Sequence, residues 1–302
     1  MIAVLGSANI DFVFRIERFP QFGETLTARD HVRVFGGKGA NQAVACARLG
    51  AETIFMGSVG DDVFGDDLLQ SLRQNGVQVQ YVRRLKNAYS GTAVIFVDSK
   101  GNNSILYFPG ANGCIDTSYI DDILPHVVSA SVLLLQFEIP LNAISYLLKK
   151  LPPDRPIVIV DPSPASDLRG LPVERIDLLT PNQIELASLT GCTDILVGGR
   201  QLLELGVKQV ICKVGENGAW IIGRGEVIHF PAFRVHIVDT TAAGDAFNAG
   251  LAVALEKGLP LDQGVIWANA AGALACTKFG AQPSLPFQHE LETFLRQHGV
   301  TF

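Results

Sequence analysis

The chain has 302 residues, of which 48% are hydrophobic and 18% charged, and its formal net charge is −6 at pH 7. The length allows one large α/β domain with an appended part, or two small domains, and the composition excludes a disordered chain. The negative charge and the lack of Lys and Arg runs argue against a nucleic-acid partner.

The chain shows no signal peptide and no run of about 20 apolar residues, so we expect no membrane partner. Five widely spaced cysteines without a C-x-x-C pair are typical of reduced core residues. Together these features predict a cytoplasmic protein.

The first elements in chain order predict two different sheets. Residues Met1–Gly6 form an apolar run that ends in glycine, as at the start of a buried parallel sheet. Residues 12–16, 25–35, 91–97 and 104–108 are extended segments, and the last two flank a D-S-K-G-N-N turn. We expect these four segments to form a small antiparallel sheet outside the main body, with an apolar face that needs a cover.

Strand and helix patterns alternate through the rest of the chain. The predicted strands are Glu52–Val59, Val132–Gln136, Ile157–Asp161, Leu178–Thr180 and Val210–Val214, and the predicted helices are Asn41–Leu49, Phe64–Asn75, Leu141–Lys150, Glu185–Thr190 and Arg200–Leu205. This alternation predicts a doubly wound, mainly parallel α/β sheet flanked by helices. Ligands of such sheets bind at the carboxyl ends of the strands, where Asn9, Glu138 and Asn182 all fall.

Asn9 and Asp11 follow the first strand with one residue between them, so their side chains point to the same side. Such a pair beside a glycine turn suits hydrogen bonding to sugar hydroxyls, although an Asx turn at a strand end gives the same pattern. The segment G-G-K-G-A-N-Q-A at 36–43 lets the backbone approach a ligand and offers Asn41 as donor and acceptor. The alternative for this segment is a glycine-rich turn that begins a helix.

Two later segments have the features of a nucleotide pocket. In T-P-N-Q-I-E at 180–185, Asn182 and Glu185 are spaced to hold the water around Mg²⁺ or, alternatively, to form a capping box. In K-V-G-E-N-G-A-W at 213–220, a strand and a glycine turn form either a pocket wall or a plain hairpin. Asn269, within a predicted helix at 267–276, is ambiguous by itself.

The segment D-T-T-A-A-G-D at 239–245, followed by an apolar helix, is the most informative in the chain. A helix start has unpaired N–H groups and a partial positive charge, which suit an anion such as phosphate. Asp245 would stand beside that anion and take a proton from a hydroxyl group. The arrangement predicts phosphoryl transfer to an alcohol.

Taken together, these segments resemble the PfkB family of carbohydrate kinases over nearly the whole chain. The likeness lies in G-S-A-N-I-D at 6–11, F-G-E-T at 22–25, G-G-K-G-A-N-Q-A-V-A at 36–45, V-G-D-D at 59–62, Q-F-E-I-P at 136–140, T-P-N-Q-I-E at 180–185, V-D-T-T-A-A-G-D-A-F-N at 238–248 and G-A-Q-P-S-L-P at 280–286. The resemblance implies an α/β body at 1–11, 36–88 and 111–302. It also implies a β-sheet lid at 12–35 and 89–110 that covers the sugar and forms a homodimer interface.

The resemblance also assigns site residues. It implies that Asp245 is the catalytic base and that the N–H groups of Ala242, Ala243 and Gly244 form an anion hole. Residues matching the sugar site are Asn9, Asp11, Gly37, Lys38, Asn41, Glu138 and Asp245. Residues matching the ATP site are Asn182, Lys213, Gly215, Gly218, Gly244 and Asn269, with Glu185 reaching Mg²⁺ through water. Residues matching a loop for an activating monovalent cation, K⁺, are Asp239, Thr241, Ala275, Lys278, Gly280 and Ser284, some of them through backbone carbonyls.

The expected substrate is a sugar with a primary hydroxyl, first of all D-ribose, which would become D-ribose 5-phosphate. Deoxyribose-preferring members carry an apolar residue at the position of Asn9, whereas a polar group suits a pentose with a 2-hydroxyl. Kinases for deoxyribose, ketohexoses or nucleosides remain alternatives, and a non-catalytic sugar-binding regulator is a remote one. Asp161 stands where the ribose-phosphorylating members of the family tend to have Asn, and Lys213 and Lys278 stand at variable positions. These departures are expected to lie away from the core motifs.

Overall fold

A large sheet forms the centre of the molecule. The structure is a computed structural model that describes residues 1–300. Within that range, eight strands lie side by side in the order β4 (Thr53–Met56), β1 (Ile2–Leu5), β9 (Val132–Gln136), β10 (Ile157–Asp161), β11 (Leu178–Leu179), β12 (Gln209–Lys213), β13 (Ala219–Ile222) and β14 (Val227–Phe230). The strands from β4 to β12 run parallel, and only the β12–β13–β14 end is antiparallel. The predicted mainly parallel sheet is confirmed.

Helices cover both faces of this sheet. One face packs against α1 (Lys38–Arg48), α2 (Val63–Gln74), α7 (Ala243–Glu256), α8 (Leu261–Ala275) and α9 (Gln288–Gln297), and the other against α3 (Thr117–Val128), α4 (Leu141–Lys150), α5 (Gln183–Thr190) and α6 (Ile195–Glu204). In β1, Ile2 and Val4 belong to the first core, whereas Ala3 and Leu5 belong to the second. Because both faces are buried, the strands are apolar throughout rather than alternating.

A smaller sheet stands apart from the central one. Its four strands lie in the order β3 (Asp30–Gly36), β2 (Asn9–Arg15), β7 (Gly91–Val97) and β8 (Asn103–Phe108). All four predicted segments take part, but the prediction of a fully antiparallel sheet is wrong, because β2 and β7 run parallel. Both strands leave the body side by side, with Asn9 beside Gly91, so they share a direction while β3 and β8 return.

A further strand pair joins β5 (Ser58–Gly60) and β6 (Arg83–Leu85), so the segment predicted as one strand at 52–59 is divided between two sheets. The predicted bounds of β9, β10 and α4 are confirmed, whereas α1 begins at Lys38 and α6 at Ile195, earlier than predicted. None of the helices within residues 1–300 is long and apolar enough to cross a membrane. All five cysteines lie in this range and are free, and the prediction of core positions is right for Cys46 and Cys212. It is wrong for Cys192 and Cys276, which are half-buried, and for Cys114, which is exposed.

Candidate active site

A cleft of about 860 Å³ opens at the carboxyl ends of the central strands. Its lining brings together all the residues predicted for catalysis and nucleotide binding, namely Asn182, Lys213, Gly215, Gly218, Ala242, Ala243, Gly244, Asp245 and Asn269. Lys38 from the predicted sugar site and Glu185 from the predicted Mg²⁺ site line it as well. The volume falls within the range of small-molecule sites, and the position is the one expected for a doubly wound sheet.

Asp245 lies in the first turn of α7, at the inner end of the cleft, and is only 6% exposed. Its Oδ2 accepts a hydrogen bond from Asn41 Nδ2 at 2.9 Å, and its Oδ1 accepts one from Gln42 Nε2 at 3.1 Å. Burial raises the pKa of Asp245 to about 6, against the lowering effect of the Lys38 charge. A carboxylate with this pKa is mostly ionised at pH 7 and still basic enough to accept a proton.

The start of α7 presents backbone N–H groups to the same cleft. Ala242 precedes the helix in the left-handed conformation, with φ 60° and ψ 9°, where a residue with a side chain is strained. The N–H of Ala243 donates to Thr240 O at 3.2 Å. Within residues 1–300, no hydrogen-bond acceptor is recorded for the N–H groups of Ala242 and Gly244, so these donors are available to an anion.

Lys38, the first residue of α1, brings a positive charge to the same place. Burial alone would lower the pKa of its ammonium group, but the carboxylates of Asp245, Asp161, Glu138 and Glu185 outweigh burial and raise the pKa above its usual value. Lys38 is therefore a permanent cation amid four anions. Its backbone N–H donates to Glu138 Oε2 at 3.0 Å, and Ser7 Oγ donates to the same oxygen, so Glu138 ties α1 to the loop after β1.

The residues predicted to bind sugar lie beside Asp245, between the two sheets. Asn9 Oδ1 accepts from Asn112 Nδ2 at 2.8 Å, which fixes the orientation of the Asn9 amide. Asp11 Oδ1 and Asn41 Oδ1 are buried acceptors, and neither has a hydrogen-bond partner within residues 1–300. Burial, with the nearby charges of Glu138 and Asp245, raises the pKa of Asp11 to about 7. These unpaired acceptors suit the hydroxyl groups of a sugar.

Two glycines make room for these side chains. A Cβ at Gly36 would lie 2.0 Å from Asp11 Oδ2, so a side chain at this position would displace the carboxylate. Gly37 has φ 86° and precedes α1 without a side-chain cap, which lets the chain turn closely against the backbone of Ala8. The glycine-rich segment thus both begins a helix and borders the predicted sugar site.

At the other end of the cleft, the capping-box interpretation of Asn182 and Glu185 is confirmed, whereas their interpretation as residues that hold water around Mg²⁺ stays a prediction. The two residues form a capping box at α5, with Glu185 N donating to Asn182 Oδ1 and Asn182 N donating to Glu185 Oε2, each at 2.8 Å. They also line the cleft. The segment after β12 is a hairpin and a wall of the cleft at once, because Gly215 and Gly218 lie in its turn.

Asn269, from α8, lines the cleft and donates through Nδ2 to the carbonyls of Phe230 and Pro231, at 3.3 Å each. Gly218 is held close to the same segment, since a Cβ there would lie 2.0 Å from Phe230 O. The β12–β13 turn, the chain after β14 and α8 therefore form one wall.

Asp239 connects two loops beside the start of α7. Its Oδ1 accepts from Thr241 N at 2.9 Å and from Thr241 Oγ1 at 2.6 Å, and its Oδ2 accepts from Gly280 N at 2.9 Å. These hydrogen bonds overcome burial and lower the pKa of Asp239. Ser284 Oγ donates to Ala281 O at 2.8 Å, and the Lys278 ammonium pairs with Glu290 at 2.6 Å. None of the predicted cation-loop residues lines the main cleft.

Several residues of the site were not identified from the sequence. Asp161 lines the cleft, accepts from Gln42 Nε2 at 3.1 Å and pairs with Lys213 Nζ at 3.0 Å. The expectation that Asp161 and Lys213 lie away from the core motifs is therefore wrong, because Gln42 belongs to the glycine-rich motif. Tyr107, from β8, was also missed. Its hydroxyl donates to Glu138 O at 3.4 Å.

The register of the smaller sheet explains the position of Tyr107. Asp11 pairs with Ala93, and Ala93 pairs with Tyr107, so the three residues form a row on one face. The alternation of β8 placed Tyr107 on one of two faces, but only the pairing with β7 shows that this face is shared with Asp11. Local pattern alone therefore gave no signal that separates Tyr107 from its neighbours.

Comparison with known proteins agrees with this geometry. The sequence pattern of the pfkB family of carbohydrate kinases matches residues 1–288. The chain therefore belongs to the PfkB family of carbohydrate kinases. The expected resemblance is confirmed, and with it the class of enzyme.

Two individual proteins and one solved structure are similar to this chain over nearly their whole length. The chain is 36% identical to a ribokinase of Bacillus subtilis over 97% of this chain and 99% of that protein. It is 33% identical to a deoxyribokinase of Salmonella typhi over 97% and 98% of the two chains. The structure of Arabidopsis thaliana ribokinase complexed with ribose and ATP superposes with a TM-score of 0.92 at 36% identity, covering 98% of each chain.

Proposed function

We propose that this protein phosphorylates the primary hydroxyl of a sugar with ATP, and that its substrate is D-ribose, which becomes D-ribose 5-phosphate. One observation carries the proposal. Asp245 stands between a group of unpaired buried acceptors on one side and the free N–H groups of a helix start on the other. The first side suits a polyol and the second a phosphoryl group. The ribokinase relatives named above support the same substrate.

The sugar would bind between the two sheets. Asp11 Oδ1 and Asn41 Oδ1 are buried acceptors that a sugar hydroxyl would satisfy, which offsets a cost of about 1–3 kcal/mol for each unpaired group. Gly37, Lys38 and Glu138 would complete the site around these residues. Asn9 would donate through its Nδ2, because its Oδ1 is already occupied by Asn112.

ATP would lie along the cleft. Its adenosine would occupy the wall formed by Gly215, Gly218 and Asn269, and its phosphates would approach Asn182, Lys213 and the start of α7. Lys38 would face the transferred phosphoryl group from the sugar side. The structure of the Arabidopsis ribokinase, a complex with ribose and ATP, supports a shared site for both substrates.

The chemistry follows from the charges. The sugar hydroxyl oxygen attacks the γ-phosphorus, the bond between that phosphorus and the bridging oxygen of ADP breaks, and Asp245 takes the hydroxyl proton. Lys38 and the N–H groups of Ala242 and Gly244 would stabilise the negative charge that develops on the phosphoryl oxygens, and the Ala243 N–H would join them by giving up its 3.2 Å hydrogen bond to Thr240 O. Positioning and electrostatic stabilisation would supply most of the rate enhancement.

Two cations belong to the proposal. Within residues 1–300 no cluster of three or more His, Cys, Asp and Glu side chains would hold a metal, so each site would combine one carboxylate with oxygens of water, phosphate or the backbone. For Mg²⁺ the residues fit, because Glu185 uses Oε2 within its capping box and its Oε1 remains available to bound water. When bound, Mg²⁺ would neutralise charge on the ATP phosphates.

For K⁺ the residues fit as well. The hydrogen bonds that Asp239 accepts from Thr241 and Gly280 hold the two loops together, and the carbonyl of Ala275, at the end of α8, would be one of the oxygen donors. Thr241, Gly280 and Ser284 would complete the set, and Lys278 would contribute only its carbonyl because its ammonium pairs with Glu290. A cation there would stabilise the loop that leads into α7.

The smaller sheet is proposed as a lid and as a homodimer interface. Its edge strand β8 is exposed along its whole length and carries the apolar side chains of Ile105, Leu106 and Phe108. Such an apolar edge needs a cover, and a second copy of the chain would provide one. The proposal includes a cytoplasmic location, where ATP and a phosphorylated sugar are retained.

A panel of substrates tests this proposal. ADP release is measured with D-ribose, 2-deoxyribose, ketohexoses and nucleosides, each with and without K⁺. A clear preference for ribose, higher with K⁺, supports the proposal, whereas a preference for deoxyribose or a nucleoside supports another kinase of the family. The Salmonella deoxyribokinase keeps the first of these alternatives open. If every sugar is bound but none is phosphorylated, the protein is a sugar-binding regulator.

A further inference from the structure

A single buried amide connects the two carboxylates at the inner end of the cleft. Gln42 on α1 is fully buried, and its Nε2 group donates one hydrogen to Asp245 Oδ1 and the other to Asp161 Oδ2, each at 3.1 Å. Its Oε1 accepts from Gln136 Nε2 at 2.7 Å. Both N–H donors of the Gln42 amide are therefore used, and so is one of the two lone pairs of its oxygen.

This arrangement permits one orientation of the amide. If the Gln42 amide were turned over, its oxygen would face two carboxylates and its nitrogen would face another nitrogen, from Gln136. Asp161 and Gln136 end the neighbouring strands β10 and β9 and are paired in the sheet register, so both partners are held by the central sheet. The sheet thus determines where the Gln42 donor points.

Lys213 makes the position of Asp161 possible. Two carboxylates joined through one amide repel each other, and burial increases that repulsion. Lys213, at the end of β12, places its ammonium 3.0 Å from Asp161 Oδ1, and the two side chains are only 12% and 3% exposed. The ion pair balances the Asp161 charge on the side facing away from Gln42.

We propose that Asp161 is a positioning residue for phosphoryl transfer: it holds the Gln42 amide so that this amide orients the Asp245 carboxylate. With Gln42 on Oδ1 and Asn41 on Oδ2, the plane of that carboxylate is fixed from both sides. A fixed plane keeps an oxygen lone pair directed at the attacking hydroxyl, which is what a general base requires. This inference rests on the function proposed for Asp245.

The charges around Asp245 predict a change in the pH dependence of kcat that a purely structural role of Asp161 would not produce. Three charged groups face it: Lys38 from α1 lowers its pKa, Asp161 from β10 raises its pKa, and Asp11 from β2 shares the charged site. In Asp161→Asn one of the two repelling charges is lost. The acid limb of the kcat profile should then move to lower pH by at least about half a unit.

The first experiment separates this role from the proposed function. The titration of Asp245 is followed by ¹³C NMR of protein labelled at aspartate carboxyl carbons, with Asp245→Asn to assign the signal. A shift of this titration to lower pH in Asp161→Asn supports the coupling, and an unchanged titration overturns it. This readout needs no turnover, so a wild-type protein that phosphorylates no sugar would refute the proposed function without deciding the coupling.

The second experiment tests positioning. Gln42→Leu removes the amide but keeps the Asp161–Lys213 pair, and it should lower kcat about 10-fold while changing the KM for sugar less than about threefold. Asp161→Ala should have a similar effect, and the double variant should be no worse than either single one, because both act through one contact. Additive losses, or an unchanged kcat in Gln42→Leu, would overturn the proposal.

Loss of stability is controlled separately. Thr53→Val changes a buried polar residue of β4, far from the cleft, whose hydroxyl donates to Ala51 O. It should lower the melting temperature without changing kcat or its pH profile. If Gln42→Leu lowers activity only through its unfolded fraction, and the kcat of the folded protein stays unchanged as in Thr53→Val, the residue is structural and the proposal fails.

Discussion

Asn41 donates a hydrogen bond of 2.9 Å to Asp245, across 204 positions of sequence. One residue lies on the helix that begins at the glycine-rich motif, and the other lies in the first turn of the helix after the D-T-T-A-A-G-D segment. The contact joins the proposed sugar site to the proposed base. The remaining Asn41 oxygen is buried and unpaired within residues 1–300, so one side chain serves both the base and the substrate.

Removing the charge of Asp245 should abolish most of the turnover. In Asp245→Asn the side chain keeps its size but accepts no proton, so kcat should fall by at least about two orders of magnitude while sugar affinity stays within a few-fold. ADP release gives kcat, and calorimetry gives sugar affinity. Asp167→Asn is the control, because Asp167 is exposed and its one hydrogen-bond partner among residues 1–300 is Arg169. Turnover near that of the wild type in Asp245→Asn would remove the residue from the mechanism.

Turnover should also depend on pH in the direction set by Asp245. Since burial raises the pKa of Asp245 to about 6, lowering the pH through 6 protonates the base. The logarithm of kcat should then fall by about one unit for each pH unit below this value. Saturating substrates isolate kcat, and a profile that stays flat between pH 5 and pH 8 would contradict the assignment.

The same burial should cost stability. Asp11 and Asp245 have pKa values of about 7 and about 6, above the value of 3.8 for an unperturbed aspartate, so the folded state binds protons more tightly than the unfolded state. Stability therefore falls as the pH rises from about 4 to 7. Asp11→Asn should raise the free energy of unfolding at pH 8, on the order of a few kcal/mol at most, and by less at pH 5.

The pKa of Asp62 is shifted in the direction opposite to those of Asp11 and Asp245. Its carboxylate caps α2 through Gly65 N at 2.7 Å and accepts from Ser90, and these hydrogen bonds overcome burial and lower the pKa of Asp62. Asp62→Ala should therefore lower the free energy of unfolding at pH 8 by about 1–2 kcal/mol, and with it the melting temperature. Thermal unfolding at both pH values measures both variants. A loss of stability in Asp11→Asn at pH 8 would show that its hydrogen-bonding role outweighs the cost of burial.

Asp239 should control the response to K⁺. Asp239→Ala breaks the hydrogen bonds that join Thr241 and Gly280, so the loop before α7 loses its support and activation by K⁺ should disappear. Lys278→Met is the matched control, because its ammonium is directed at Glu290 and its carbonyl is kept. Initial rates with KCl and with tetramethylammonium chloride at equal ionic strength give the ratio. Loss of activation in Lys278→Met alone would reject this loop as the cation site.

The sequence predicted the elements whose signals are local. The bounds of β9 and β10 follow from continuous apolar runs, and the capping box of α5 follows from Asn182 and Glu185. The early start of α6 at Ile195 could have been predicted from the sequence, because Asp194 caps the helix by accepting from the N–H groups of Leu196 and Val197. The start of α1 was not, since Gly37 has no side chain with which to cap it.

The parts that were missed depend on contacts between distant segments. The parallel pairing of β2 with β7 is set by how both strands leave the body, and a strand pattern carries no such direction. Gln42 meets Asp161 across 119 positions and Asp245 across 203. Family likeness assigned roles to the residues of its motifs, but Asp161 departs from that likeness, so its place in the site emerged only from the fold.

Asn9 should decide between ribose and deoxyribose. Its Oδ1 is held by Asn112 at 2.8 Å, and a Cβ at Gly91 would lie 2.3 Å from that oxygen, so the amide has little freedom and would offer Nδ2 to the proposed sugar. In Asn9→Leu, a ribose hydroxyl at this place loses its donor, whereas deoxyribose loses nothing if the missing group is the 2-hydroxyl. The kcat/KM for ribose should fall about 10-fold, and that for deoxyribose should fall less or rise.

The ratio of the two kcat/KM values measures this preference directly, because each sugar is assayed with the same protein sample. Asn102→Leu is the control, since Asn102 lies in the turn between β7 and β8 and bonds to Asp98, away from the cleft. Its ratio should equal that of the wild type. If Asn9→Leu lowers both kcat/KM values equally, Asn9 supports the site without reading the 2-hydroxyl, and the preference for ribose must come from another residue of the lid face, of which Tyr107 is the nearest candidate.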